Sequence, residues 1–558
     1  MHLLRTESRS LDEAESAVDL GQTPAEILFL SFSDSDLSLV AAAAQKRPEG
    51  AMSLRLANLG LLKHPYSVDL YLEKAANQTR FVLVRLLGGL DYWRYGVEEL
   101  ARAARAQNFA LAIVPGDAMA DARLDSASTL PPVDLRRIHE AFQLGGAEQI
   151  AALFDYIESS ATAKPIWREL PGLSELASVG RFEAGCRKLA CPKGQALIVF
   201  YRAYAIAQDT AAIFALADAL AARRLGVTTV FVSSLKDTDA TTFLRAELAR
   251  VKPDVIVNTT GFSSRLNSNT GVLDEAGVTV LQAIFAGATE VQWKENPRGL
   301  SAADLAMNVV LPELDGRLIA PAIACKQDDL HRANLEFTPR NHAPVPSRVN
   351  FVADLATAWV KLRRTPREKR KIACVLSDYP GRQGRGGYAV GLDTAKSVAS
   401  IATALREAGY CVSLPDSRTL MRKLEEADAA VHLPLADYKL CFEQLPQKFA
   451  ESLKTHWGDP NDEAQGDGFV FPVVRAENLI IGLQPNRGLN ANHKADYHNT
   501  ALPPCHSYVA FYMWLRQKEQ IAALIHCGTH GTLEWLPGKA VALNYDCAPE
   551  VVLGPLPV

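Results

Sequence analysis

No CxxC pair occurs among the nine cysteines (Cys186, Cys191, Cys325, Cys374, Cys411, Cys441, Cys505, Cys527 and Cys547). Their scatter excludes a zinc ribbon, and their odd number points to reduced thiols in a cytoplasm. There is no excess of positive charge: 59 basic residues face 63 acidic ones, a net charge of −4. Such a chain has no basic field to hold nucleic acid. The longest apolar run, VTVLQAIFAGA (278–288), is too short to span a bilayer. The N-terminal stretch MHLLRTESRSLDEAESAVDL lacks the apolar core of a signal peptide. No segment is of low complexity. GxxxxGK[ST] is absent, so no phosphate loop is expected, and the Gly-rich GRQGRGGYAVG (381–391) lacks the context of a dinucleotide fingerprint. HExxH is absent too, which disfavours a zincin protease.

What is present is a long globular chain. Its 558 residues are 48% hydrophobic and 22% charged, enough for roughly three or four domains. Short β-branched runs alternate with Ala/Leu-rich helical stretches, the pattern of a multidomain α/β protein with parallel or mixed sheets flanked by helices. Three units are expected. The first, 1–190, has strands at 25–33, 80–88 and 108–116, a helix at 91–107, and a helical, Pro-rich C-terminal part. The second, 191–365, has strands at 195–201, 228–234, 254–260 and 278–284. In it Asp209 reads as the N-cap of a helix running to Leu225. A charged linker, RRTPREKRK (363–371), precedes the third, 366–558. Its strands are expected at 371–379, 410–415, 478–485 and 521–528.

The densest chemistry lies in IHCGTHGTLEWLPGKAV (525–541). An apolar strand ends in His526, glycines open a loop, and His530 and Glu534 stand four apart. If 532–536 form a helical turn, those two share a face. Ligands of open α/β sheets collect at the carboxyl ends of strands. Imidazole nitrogen with carboxylate oxygen suits a borderline divalent ion such as Co²⁺ or Zn²⁺. His526, His530 and Glu534 are therefore the metal candidates, with His530 and Glu534 the catalytic ones. Further cation or acid candidates are Arg202 and Asp209 with Tyr201 in FYRAYAIAQDT (200–210), Arg382 in YPGRQGRGG (379–387), and Arg487 in LQPNRG (483–488). A strand-end arginine suits a carboxylate; Asp209 is equally explained as a helix cap. Glu313 and Asp315 of PELDGR read as a turn. The aromatic stretch SYVAFYMWLR (507–516) reads as a core helix rather than a stacking platform.

IHCGTHGTLEWLPGKAVAL resembles the HxGxHGxxEWLPGK signature of the large, tetrapyrrole-binding metal chelatase subunits, the family of cobaltochelatase CobN and the magnesium chelatase H subunit. FYRAYAIAQDT, LQAIFAG (281–287), RGLSAADLAMNVVLPELDGR (298–317), GLDTAKSV (391–398), LQPNRG and LPPCHSYVAFYMWLR (502–516) agree with it in order. The GKAVAL continuation is more similar to the cobalt branch. The resemblance implies insertion of Co²⁺ into hydrogenobyrinic acid a,c-diamide during cobalamin biosynthesis. The alternatives are Mg²⁺ insertion into protoporphyrin IX and a non-catalytic tetrapyrrole scaffold or sensor. It further implies ATP hydrolysis by partner AAA+ motor subunits of the CobS/CobT kind, an anionic tetrapyrrole held by Tyr201, Arg202, Asp209, Arg382 and Arg487, and a cytoplasmic location. Family members are roughly twice as long, so the chain is expected to be their N-terminal portion, inactive by itself. Metal insertion requires loss of two pyrrole N–H protons, hence a base near the ring. Glu534 is the candidate base, and His526 and His530 the candidate metal carriers.

Overall fold

The computed structural model describes residues 17–76, 79–116, 121–160, 177–265, 270–377, 387, 389, 391–413, 416–425, 430–488, 499–529 and 531–558. Three sheets organise them.

The first sheet contains β1 (Ile27–Ser31), β2 (Leu54–Asn58), β3 (Phe81–Leu86) and β4 (Ala110–Pro115), in the order β2-β1-β3-β4. All its pairings are parallel. Successive side chains of a strand point to opposite faces. Ile27 and Phe29 thus pack with Val40, Ile138 and Phe154 on one face, while Leu28 and Leu30 pack with Val68, Val97 and Leu100 on the other. Helices cover both faces, so β1 and β3 are buried along their whole length and read as unbroken apolar runs.

The second sheet is built from β5 (Val179–Arg181), β6 (Gly194–Tyr201), β7 (Leu225–Val232), β8 (Val255–Asn258), β9 (Thr279–Thr289), β10 (Leu318–Asp328) and β11 (Arg340–Pro344), ordered β11-β10-β9-β8-β6-β7-β5. Its interior is parallel and its two edge pairs, β10–β11 and β5–β7, are antiparallel. The helix after β6 differs from expectation. It spans Ala211–Ala222 with Thr210 at its N-cap, and Leu225 already belongs to β7. Asp209 does not cap it, because its carboxylate is taken by His342.

The third sheet runs β13 (Ala430–Pro434), β14 (Gly468–Ala476), β15 (Leu479–Leu483), β12 (Ile372–Leu376) and β16 (Ala523–Cys527). β15, β12 and β16 are parallel, and β14 returns on β15 as a hairpin. The strand expected at 410–415 does not form over its described residues, 410–413. The Cys411 carbonyl accepts one bond, from the Asn478 N–H, and the side chains of Cys411 and Ser413 face solvent. The helix His506–Met513 is a core helix, as its sequence suggested; Tyr508, Phe511 and Tyr512 belong to one cluster with Phe471 and Leu524.

The second and third units are tied by the stretch that follows Glu534. Ala540 and Val541 donate N–H groups to the Pro297 and Arg298 carbonyls. Trp293 Nε1 donates to the Ala542 carbonyl at 3.0 Å. Lys539 Nζ donates to the carbonyls of Lys294 and Asn296 at 2.9 and 2.7 Å.

Candidate functional site

The carboxyl ends of β15, β12 and β16 lie side by side, and the polar residues gather there. Pairing continues just past the strands: Gln484 N–H bonds the Leu376 carbonyl and Ser377 N–H bonds the Cys527 carbonyl. His526 is therefore held at the end of a paired, not a fraying, ladder. Its Nε2 lies 3.1 Å from the Tyr512 hydroxyl, with the two rings edge to face. Burial holds its pKa down to about 4, so at neutral pH the ring is uncharged and able to ligate an ion.

Glu534 stands in the short 3₁₀ turn Leu533–Trp535, the helical turn expected there. Its side chain is exposed, and Oε1 accepts the Gly531 N–H at 2.9 Å. Leu533 and Leu536 anchor the turn in the core beneath it. The turn is further clamped by Arg487, whose Nη1 donates to the Trp535 carbonyl and Nη2 to the Asn499 and Leu502 carbonyls. His530 and Arg382 lie outside the described residues.

His526 thus lies in β16 and Glu534 in the 3₁₀ turn that follows it, while Arg487, Arg202, Tyr201 and Asp209 each make bonds inside the protein. Arg487 is not an exposed loop arginine: it is 1% exposed, and three main-chain carbonyls accept from its guanidinium. Arg202, at the carboxyl end of β6, donates from Nε to Ala177 and from Nη2 to Gln143, both carbonyls. It thereby bridges the second unit to the helix Pro132–Leu144 of the first. Tyr201 donates its hydroxyl to the Gly261 carbonyl at 3.1 Å, and burial pushes its pKa up to about 12.

Asp209 is buried and bound twice to His342, through the main-chain N–H at 2.8 Å and through Nδ1 at 2.7 Å. Burial opposes its charge, but the bonds from His342 outweigh it and the carboxyl titrates below its ordinary value. Burial lowers His342 as well. At neutral pH the contact is therefore a neutral imidazole donating to a carboxylate. Asp315 is likewise internal: it accepts from Ser263 and Ser264 and pairs with Arg317 at 2.9 Å. Glu313 is exposed.

Sequence reading passed over Gln484 and Thr532 and took Tyr508 and Tyr512 only as core aromatics; all four are buried polar residues. The one signal for them was a pair of tyrosines four apart in an otherwise apolar helix, where phenylalanine would fill the same space without a hydroxyl to satisfy.

Residues 153–558 match the family described as CobN/Magnesium Chelatase. The chain is similar over its whole length to the aerobic cobaltochelatase CobN protein of a Sinorhizobium species, at 40% identity, and to that of Pseudomonas aeruginosa, at 37%; in each case it covers 46% of the relative. Similarity to the magnesium-chelatase H subunit of Rhodobacter capsulatus is 26% over 79% of the chain and 41% of the relative. A solved structure, the catalytic subunit of cobaltochelatase from Mycobacterium tuberculosis, superposes with a TM-score of 0.66 at 27% identity, covering 95% of this chain and 45% of that one. The chain spans about half the length of the curated relatives it matches.

Proposed function

This chain belongs to the CobN/magnesium chelatase family, and we propose that it is the part of a cobaltochelatase large subunit that binds an anionic tetrapyrrole and receives Co²⁺. The substrate would be hydrogenobyrinic acid a,c-diamide, and the pathway cobalamin biosynthesis. What supports this reading is that His526 lies in β16 and Glu534 in the turn that follows it, in a chain 40% identical throughout to a CobN protein.

The chemistry follows from those side chains. Co²⁺ is a substrate here and must be passed on, so its carriers have to release it. A neutral imidazole is a suitable exchanging ligand, and burial keeps His526 neutral. The pyrrole N–H protons need an acceptor, and the exposed Glu534 carboxylate supplies one while the Gly531 N–H orients it. His530, between them in sequence, is proposed as a second carrier. Arg202 at the end of β6 and Arg382 in the loop after β12 are proposed to meet the macrocycle's carboxylates, with Tyr201 beside Arg202. Energy would come from AAA+ ATPase partners of the CobS/CobT kind. The nine free thiols support a cytoplasmic site of action, and no helix among the described residues is long and apolar enough to cross a membrane.

The test is metal insertion by the full-length protein with its motor subunits and ATP. Cobalt incorporation into the corrin-pathway substrate supports the reading. Turnover with Mg²⁺ and protoporphyrin IX instead would move the protein to the magnesium branch. Tight tetrapyrrole binding without turnover of either pair would make it a scaffold.

A further inference from the structure

Nine non-glycine residues among those described have left-handed backbone, and eight of them are polar residues or alanine. The ninth is Phe262, at φ +62°, in the loop after β8. A bulky side chain disfavours that region. Its ring is 49% exposed and meets no other ring among the described residues. Core packing of the ring is therefore not what holds this conformation.

Bonds on both sides of Phe262 hold it instead. The Thr260 carbonyl accepts from Asn258 Nδ2 and from Gln282 Nε2, each at 2.9 Å. The Gly261 carbonyl accepts from the Tyr201 hydroxyl at 3.1 Å. Asp315 accepts from Ser263 Oγ at 2.5 Å and from the Ser264 N–H at 2.6 Å. The Phe262 N–H itself donates to the Met307 carbonyl at 2.7 Å. Met307 lies in the π-helical turn Ala306–Val310. Pro312, five residues on, has no N–H to give that carbonyl. Left-handed bulky residues and π-helical turns both gather at functional sites, where surrounding bonds over-determine them.

The place of the loop points the same way. β6 has β7 on one side and β8 on the other, so the chain order reverses between β6 and β8, and ligands of open α/β sheets bind outside the carboxyl ends at such a reversal. Tyr201 ends β6, and its bond to Gly261 joins that end to the loop of Phe262. The residues after β9, 294–298, receive the stretch that follows Glu534. We propose that Phe262 is a substrate-binding residue whose ring is a preorganised platform for one face of the tetrapyrrole macrocycle. This rests on the reading of the chain as a tetrapyrrole-binding chelatase subunit. A macrocycle has an apolar face wider than one phenyl ring and carries its carboxylates at the rim, so this contact needs no polar partner. A ring fixed before the ligand arrives loses little freedom on binding, which accounts for the bonds spent on holding it outward.

The experiment titrates full-length protein with hydrogenobyrinic acid a,c-diamide, followed by ligand absorbance. Half-saturating Co²⁺ for insertion and melting temperature are measured on the same samples. Phe262→Gly removes the ring and suits left-handed backbone. It should weaken tetrapyrrole affinity ~10-fold or more, what covering a half-exposed phenyl ring is worth. Melting temperature should stay level or rise, because the backbone strain is gone. Half-saturating Co²⁺ should change by less than about twofold, since only binding of the other substrate is lost. Phe262→Tyr, which keeps the ring, should bind within about threefold of the parent. Parent-like tetrapyrrole affinity in Phe262→Gly overturns the platform and leaves the chelatase reading standing. A fall in melting temperature together with affinity marks the ring as a packing group and also overturns it. A parent protein that binds neither hydrogenobyrinic acid a,c-diamide nor protoporphyrin IX overturns both. Should Phe262→Gly not fold, Phe262→Asn decides, because asparagine tolerates the same backbone: parent-like affinity there sinks the proposal.

Discussion

Arg487 donates from Nη1 to the main-chain carbonyl of Trp535 at 2.9 Å. That one bond fastens the loop after β15 to the turn carrying Glu534, two segments 48 residues apart in sequence. The turn that carries the candidate base is thus fastened by a buried cation.

Arg487→Met should therefore cost about 3 kcal/mol or more, because the carbonyls of Trp535, Asn499 and Leu502 lose a charged donor together. Arg487→Lys should fall between parent and Met, since an ammonium cannot reproduce the planar fork. Thermal unfolding of the three proteins checks this, and equal midpoints would refute the clamp.

Glu534→Gln keeps an acceptor for the Gly531 N–H and removes the charge. Deprotonating the ring belongs to the transition state, and holding the macrocycle does not. Insertion should slow by ~10²-fold or more with tetrapyrrole affinity nearly unchanged. A variant that inserts cobalt at the parent rate rules Glu534 out as the base.

Gly299 has φ +97°, and a Cβ there would lie 2.0 Å from the Val541 carbonyl oxygen. Gly299→Ala should cost ~1–3 kcal/mol for the backbone conformation alone. It should also loosen the docking of 539–542 on 296–298. Faster proteolysis near those segments, together with a lower melting temperature, is the expected result. A parent-like digestion pattern would contradict it.

Asp209 and His342 both titrate below their ordinary values in the folded protein. For each, the unfolded chain binds its proton at higher pH, so the stability they contribute is complete above the unfolded histidine value, about 6.5. It is lost as pH falls, first through His342 and then through Asp209. His342→Gln should flatten the pH dependence of the melting temperature as pH falls below about 6.5. An unaltered slope would mean that other groups carry it.

Much of the architecture was legible because of how burial writes itself into sequence. Strands covered on both faces, such as 27–31 and 81–86, are continuous apolar runs. Strands not expected include β11, RNHAP, and β13, AVHLP, with exposed or half-buried residues along them, and also β2, β10 and β14, of which β10 is buried over most of its length. β5, three residues long, carries no periodicity at all.

The candidate site divides in the same way. The strand ending at His526, the turn around Glu534 and the family signature are local, and a single stretch of chain specifies them. The duties of Arg487, Asp209 and Lys539 are not local. Each depends on carbonyls or rings brought from 12 to 245 residues away. Sequence by itself determined where imidazole and carboxylate groups cluster and that an apolar strand leads into them, because side-chain type and hydrophobic patterning need no partner to be read. Only the tertiary structure decided which charged groups are consumed inside the protein and which face outward. A guanidinium or carboxylate is the same group in either setting, and the carbonyls and rings that satisfy it arrive only when distant segments pack together.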